Sequence, residues 1–163
     1  MTRKGETMTQ VAPSESDIAR TYALLGGEDT FAAPIRNRLD AHDLLVGGLP
    51  TSALLYLTKN VSFLSNVDIL DKTIGISVRT LQRRKKSPKG SSLSVEQSNR
   101  TWKFAEVLGR ATEILGSKQA AETWMNTPAV GLSQRKPIDL LATAVGLEAI
   151  ETYLTRIEYG VYA

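Results

Sequence analysis

The sequence predicts an all-α protein in which a helix-turn-helix unit is followed by a small C-terminal helical unit. Three observations carry that expectation. Apolar residues recur at helical spacing from Ile18 to Ile157, with no strand-like alternation of useful length. Residues suited to capping helices, and glycines suited to ending them, punctuate the pattern. Residues 77–86 read as a short helix with one apolar stripe, Val78 and Leu81, and an otherwise cationic surface.

In chain order, residues 1–16 are small and polar and predict a disordered tail. A helix from Ser16 would place Ile18, Ala19, Tyr22 and Leu25 on one side, until Gly26-Gly27 ends it. Pro34 breaks any long element in the next stretch. Residues 40–46 could form a turn or two of helix stopped by Gly47-Gly48. Residues 17–48 are thus expected to be a helical extension that packs on the basic unit, as an adaptor or a dimer surface.

Pro50 suits the first position of a helix through Ala53, Leu54 and Leu57, with Asn60 as a left-handed stop. Ser65 with Asp68 resembles a capping box for a second helix whose stripe is Ile69, Leu70 and Ile74. Gly75 allows a tight turn, Ile76 plugs it, and Ser77 caps the basic helix. Helix, short glycine turn and second helix form the helix-turn-helix pattern.

Residues 87–92 are a loop by composition. Ser94 with Gln97 is another capping box, opening a long helix through Trp102, Ala105, Leu108 and Ala111 to Leu115, stopped by Gly116. Ser117 caps Lys118–Met125, and Pro128 ends that helix. Pro137 opens another, with Ile138, Leu140, Leu141 and Ala144 inward and Gly146 as its break. Residues 148–158 form the last helix, with Ile150, Leu154 and Ile157 inward. The expected organisation is a tail at 1–16, an extension at 17–48, the helix-turn-helix domain at 49–106 and the C-terminal domain at 107–163.

Charge singles out the middle of the chain. The net charge is only +3. Residues 49–112 nevertheless hold eleven Lys/Arg against four Asp/Glu, while both flanks are net acidic. No acid occurs between Thr73 and Val95. That concentration points to a polyanion, and a short basic helix fits a DNA major groove. Arg79, Gln82 and Arg83 are expected at base edges, since Arg suits guanine and Gln adenine. Ser77, Thr80, Lys85, Lys86 and Lys89 suit phosphates, and Arg84 completes the cationic set. A helix-turn-helix of this size usually binds a two-fold operator as a homodimer.

Catalysis finds little to work with. There is no cysteine, which excludes disulfides, thiol catalysis and cysteine-bound metal and fits a reducing cytoplasm. His42 is the lone histidine, and Gly47-Gly48 lacks phosphate-loop spacing. Glu148, Glu151 and Glu158 read as a solvated face. No metal or cofactor site is expected, nor an enzyme, nor a membrane segment. The last five residues, Tyr159-Gly160-Val161-Tyr162-Ala163, carry no charged side chain. Such an aromatic end suits insertion into a partner's pocket, or folding back on the protein's own core.

Residues 107–163 resemble the toxin-binding domain of the Xre/MbcA/ParS-type antitoxins, the partners of RES-domain toxins. The resemblance lies in Ala120-Ala121-x-x-Trp124-Met125-x-Thr127-Pro128, in Lys136-Pro137-Ile138-Asp139-Leu140-Leu141, and in Leu154-x-Arg156-Ile157-Glu158 with the five residues that follow. Arg79-Thr80-Leu81-x-Arg83-Arg84 resembles the Xre-like half of the same family. One departure is the glycine missing from the turn between Leu132 and Pro137, which puts that turn's conformation in question.

The resemblance implies an antitoxin of a bacterial type II system. It would bind an NAD-consuming RES toxin, close the toxin's active site and repress the shared operon. Arg156, Tyr159, Gly160, Val161, Tyr162 and Ala163 are the expected toxin-binding residues. Tyr159 and Tyr162 would fill space meant for a dinucleotide ring, and the carboxylate of Ala163 would meet a cation. Trp124 is expected in the core and Asp139 as a first-turn acid. The alternatives are a stand-alone helix-turn-helix regulator with a C-terminal sensor or dimerisation domain, and a scaffold that binds nucleic acid without sequence preference.

Overall fold

The computed structural model describes residues 15–86 and 91–160, so Lys89, Val161, Tyr162, Ala163 and tail residues 1–14 lie outside it. The described residues form eight α-helices and no strand: α1 Glu15–Leu24, α2 Arg38–Gly47, α3 Thr51–Asn60, α4 Val67–Ile74, α5 Val78–Lys85, α6 Val95–Leu115, α7 Lys118–Met125 and α8 Ala144–Glu158.

Helix α6 is the axle. Its 21 residues pack against α1, α2, α4, α7 and α8. Phe104, Ala105, Val107, Leu108 and Ala111 are wholly buried along it, so it is apolar on more than one side, as a helix at the centre of a bundle must be. Both halves of the expected capping box form: Ser94 Oγ accepts from the Gln97 amide at 3.1 Å, and Gln97 Oε1 accepts from the Ser94 amide at 3.1 Å. Gly116, at φ 89°, ends the helix as expected. The expected boundary at 106/107 falls inside this unbroken helix.

Helix α4, a turn through Gly75 and Ile76, and α5 occupy the segment where a helix-turn-helix was expected. Gly75 adopts φ 81°, a left-handed conformation that costs other residues about 1 kcal/mol or more. Ile76 is buried, Ser77 Oγ caps α5 by accepting from the Thr80 amide, and Leu81 anchors the helix to the core. The start of α4 differs from expectation. Asn66 rather than Ser65 is its cap, accepting from the Asp68 and Ile69 amides at 3.0 and 3.4 Å. Ser65 ends a 3-10 turn that buries Leu64, and its hydroxyl donates to Thr58 O instead. Pro50 likewise precedes α3 rather than opening it. Leu93 N donates to Leu49 O at 2.8 Å and Thr51 N to Ser91 O at 3.0 Å, which hold Pro50 extended. Asn60 is an ordinary last helical residue, with the Val61 amide bonded back to Leu57 O.

Helix α1 starts at Glu15, with Ile18 and Leu25 buried but Ala19 exposed. Thr21 takes the inner place, its hydroxyl donating to Asp17 O at 2.8 Å. The 40–46 turn is a full helix of ten residues, capped by Asn37. Both α1 and α2 lie on α6.

The largest correction lies between Pro137 and residue 148. Pro137–Leu140 is only a 3-10 turn, and α8 begins at Ala144, capped by Thr143. Gly146 is therefore inside α8 and does not break a helix. A Cβ there would stand 2.1 Å from Leu140 O, so glycine serves the close approach of the 3-10 turn to the helix. Glu151 and Glu158 are not simply solvated either, because Arg110 of α6 pairs with both.

One acid is held away from water. Trp102 Nε1 donates to Glu106 Oε2 at 3.0 Å. Burial raises the Glu106 carboxyl above the usual glutamate range. Glu151 and Asp17 push the same way, while the Trp102 bond and Arg38 oppose. The folded state then holds this proton more tightly than the unfolded chain, so protonation favours folding. The cost of the buried carboxylate is present above the raised value and fades as pH falls to the ordinary one.

Two outcomes follow from this packing. Gly146→Ala should destabilise by about 1–3 kcal/mol despite alanine's better helix propensity, because the clash is with backbone; thermal unfolding reads this as a drop of several degrees. Glu106→Gln keeps an acceptor for Trp102 and removes the charge. The variant should melt above the wild type at pH 7.5, with the difference shrinking towards zero near pH 4.5.

Candidate functional site

Two surfaces lie on opposite sequence flanks of α6. The first is the outward side of α5. Arg79, Gln82, Arg83, Lys85 and Lys86 are exposed and Thr80 is half-buried. Arg79, Thr80, Gln82, Arg83 and Lys86 line one shallow concavity. None of the cations among these five is in an ion pair with another described residue, so their charge faces solvent uncompensated. Ser77 and Thr80 are coupled at the start of the helix, with hydroxyls 2.9 Å apart.

Arg84 stands apart from this group. It is half-buried, and its Nη1 donates to Ser92 O at 3.3 Å, tying α5 to the segment that leads into α6. Its part in the surface is to hold the helix rather than to line the concavity. The turn before α5 has a second brace that the sequence reading missed. Gln97 Nε2, on the capping residue of α6, donates to Gly75 O at 3.0 Å. The signal was present in the Ser94/Gln97 box, but the box says nothing about where the amide's spare hydrogen goes.

The second surface is the end of α8. Arg156 and Gly160 are exposed, and Tyr159 is 71% exposed, so its ring does not fold back on the described core. The Tyr159 amide still closes the helix by donating to Thr155 O at 3.1 Å. Arg110 holds this end in place. Its guanidinium meets Glu151, donates to Thr155 Oγ1 at 2.7 Å and lies 3.5 Å from Glu158. Those three residues share one face of α8. A cation there also offsets the unfavourable placing of Glu158 at a helix C-terminus. The three-point tether was not legible beforehand, since it joins residues some forty positions apart.

Trp124 is half-buried rather than central to the core, stacked on Tyr153 with ring centroids 6.2 Å apart. Asp139 pairs with Lys72 of α4 at 3.0 Å, an exposed bridge of small energetic weight. His42 is exposed on α2. Among the described residues there is no group of acids and histidines fit for a metal, and no helix is long and apolar enough to cross a membrane.

Comparison with known proteins bears on the second surface and on the family. The antitoxin Xre/MbcA/ParS C-terminal toxin-binding domain matches residues 110–160, which covers α7, α8 and the tethered end. Antitoxin Xre of Yersinia enterocolitica is 30% identical over 131 residues, 71% of this chain and 87% of that protein. Antitoxin Xre of Pseudomonas putida is 28% identical over 85 residues, 52% of this chain and 52% of that protein. With most of an Xre antitoxin's length aligned and a toxin-binding domain at its C-terminal side, the chain belongs to the Xre/MbcA/ParS family of antitoxins.

Proposed function

We propose that this antitoxin works at both surfaces: its C-terminal end closes the active site of a RES-domain, NAD-consuming toxin, and its basic helix represses the shared operon from a homodimer in the cytoplasm. Residues 49–106 carry the DNA role and residues 107–163 the toxin role, on a body shared through α6. The observation that carries the reading is the single concavity on α5 where Arg79, Thr80, Gln82, Arg83 and Lys86 converge with no acid against them. A duplex offers both things this surface lacks, phosphate charge and base-edge acceptors. Arg79, Gln82 and Arg83 read bases. Ser77, Thr80, Lys85, Lys86 and Lys89 meet phosphates, and Arg84 keeps α5 at the right height.

On the toxin side, the exposed ring of Tyr159 and the outward Arg156 support a segment that leaves α8 towards a partner. Tyr159, Gly160, Val161, Tyr162 and Ala163 would enter the toxin's dinucleotide site. The two rings displace water from apolar space meant for a ring of the substrate, at small entropic cost.

Replacing Arg79 and Arg83 by Ala should weaken operator binding by about tenfold or more for each arginine at moderate salt, and relax sequence preference. Replacing Lys85 and Lys86 should instead lower the salt slope by roughly one per lysine. Filter binding or fluorescence anisotropy at several salt concentrations separates the two; unchanged affinity for the arginine variant rules out those base contacts. Deleting residues 159–163 should abolish protection when the chain is co-expressed with its toxin while leaving operator binding intact. Full protection by the deleted chain would end the plug mechanism.

A further inference from the structure

Among the described residues, the outer face of α2 has no partner within the subunit. The helix is apolar on two opposite sides. Ala41 is buried, and Leu44 and Leu45 are half-buried towards the core. On the other side Leu39 is 74% exposed and Val46 is 59% exposed. Leu39, His42, Asp43 and Val46 fall within about 100° of arc at 3.6 residues per turn, and all four are exposed. A helix that is apolar on both sides needs a second surface to cover it.

The order along this stripe is apolar, polar, polar, apolar. Set against itself antiparallel, with a two-fold axis between residues 42 and 43, it matches like with like. Leu39 meets the partner subunit's Val46, and Val46 meets the partner subunit's Leu39. His42 meets the partner subunit's Asp43, with an imidazole N–H to donate and a carboxylate to accept. The parallel arrangement sets Asp43 against the partner subunit's Asp43, like charge on like, and an antiparallel shift by one turn sets a leucine or valine against His42 or Asp43. Self-complementarity of this kind is what an isologous interface requires.

We infer that the exposed stripe of α2 is the dimer contact of this antitoxin, paired antiparallel about an axis between His42 and Asp43. This rests on the homodimer proposed above. Four side chains per subunit make a patch small beside the roughly 1,600 Å² of a standard interface, so the contact would be reinforced when operator DNA holds both subunits.

The chain has no cysteine of its own, which makes cross-linking clean. In the antiparallel pair, positions 39 and 46 of different subunits come level. Two copies of position 39 stay roughly 10 Å apart along the axis, beyond a disulfide's reach. Oxidation of the full chain carrying Leu39→Cys and Val46→Cys should give a covalent dimer in high yield, whereas either cysteine alone gives little. Leu39→Glu should weaken self-association by more than tenfold in sedimentation. A wild-type chain that stays monomeric at about 100 micromolar overturns the homodimer itself. A wild-type dimer in which the double variant cross-links no better than the singles, or in which Leu39→Cys alone cross-links well, keeps the dimer and overturns this interface.

Discussion

Burial of α6 on several sides at once is the constraint from which the rest of the structure follows. Phe104, Val107 and Leu108 have no exposed surface, and with Trp102, Ala105 and Gly109 the buried residues span more than half of the helix circumference at 3.6 residues per turn. At roughly 25 cal/mol per Å² of apolar area, side chains of this size contribute on the order of 1.5–3 kcal/mol each when fully buried. A rod satisfied in this way cannot tilt without exposing one of its faces. Both candidate surfaces inherit their position from it.

The inheritance is specific. Near its N-terminus, Gln97 reaches the carbonyl of Gly75, the residue whose left-handed turn aims α5. Near its middle, Arg110 grips Glu151, Thr155 and Glu158 of α8. At 1.5 Å per residue these two grips are about 20 Å apart on one continuous helix. The basic helix and the end of α8 are thus fixed to the same body. Their surfaces differ in chemistry for the same reason. α5 keeps its outward cations out of ion pairs with the described residues, whereas Glu151 and Glu158 of α8 are paired with Arg110.

What could be read from the sequence divides along a physical line. Features set by neighbours in the chain were legible. The Ser94/Gln97 box, the caps at Ser77 and Ser117 and the glycine stops at Gly75 and Gly116 all involve residues within four positions of each other. Features set by distant packing were not. Gly146 reads as a breaker until Leu140 O is seen pressed against it. Ser65 reads as a cap until the burial of Leu64 draws it into a 3-10 turn. Glu151 and Glu158 read as solvated until Arg110 arrives from another helix. At the candidate site the same division holds. The outward residues of α5 follow from helical periodicity alone, but the inward tie of Arg84 to Ser92 depends on where the following segment runs.

The turn between Leu132 and Pro137 shows how far long-range packing can override local preference. The family resemblance leads one to expect a glycine there, and this chain has none. The backbone keeps the glycine conformation regardless. Ser133 and Gln134 sit at φ 54° and φ 62°, which is costly for residues with a Cβ, by about 1–2 kcal/mol apiece. The surroundings outweigh that cost. Gln134 N donates to Ala129 O at 2.9 Å, Ala129 N to Arg135 O at 3.1 Å, and Leu132 and Ala129 are buried beneath. Opening the turn would give up both hydrogen bonds and expose both side chains, a larger loss than the strain it relieves. The loop therefore survives the missing glycine, and with it the approach of Pro137–Leu140 to α8 that Gly146 allows.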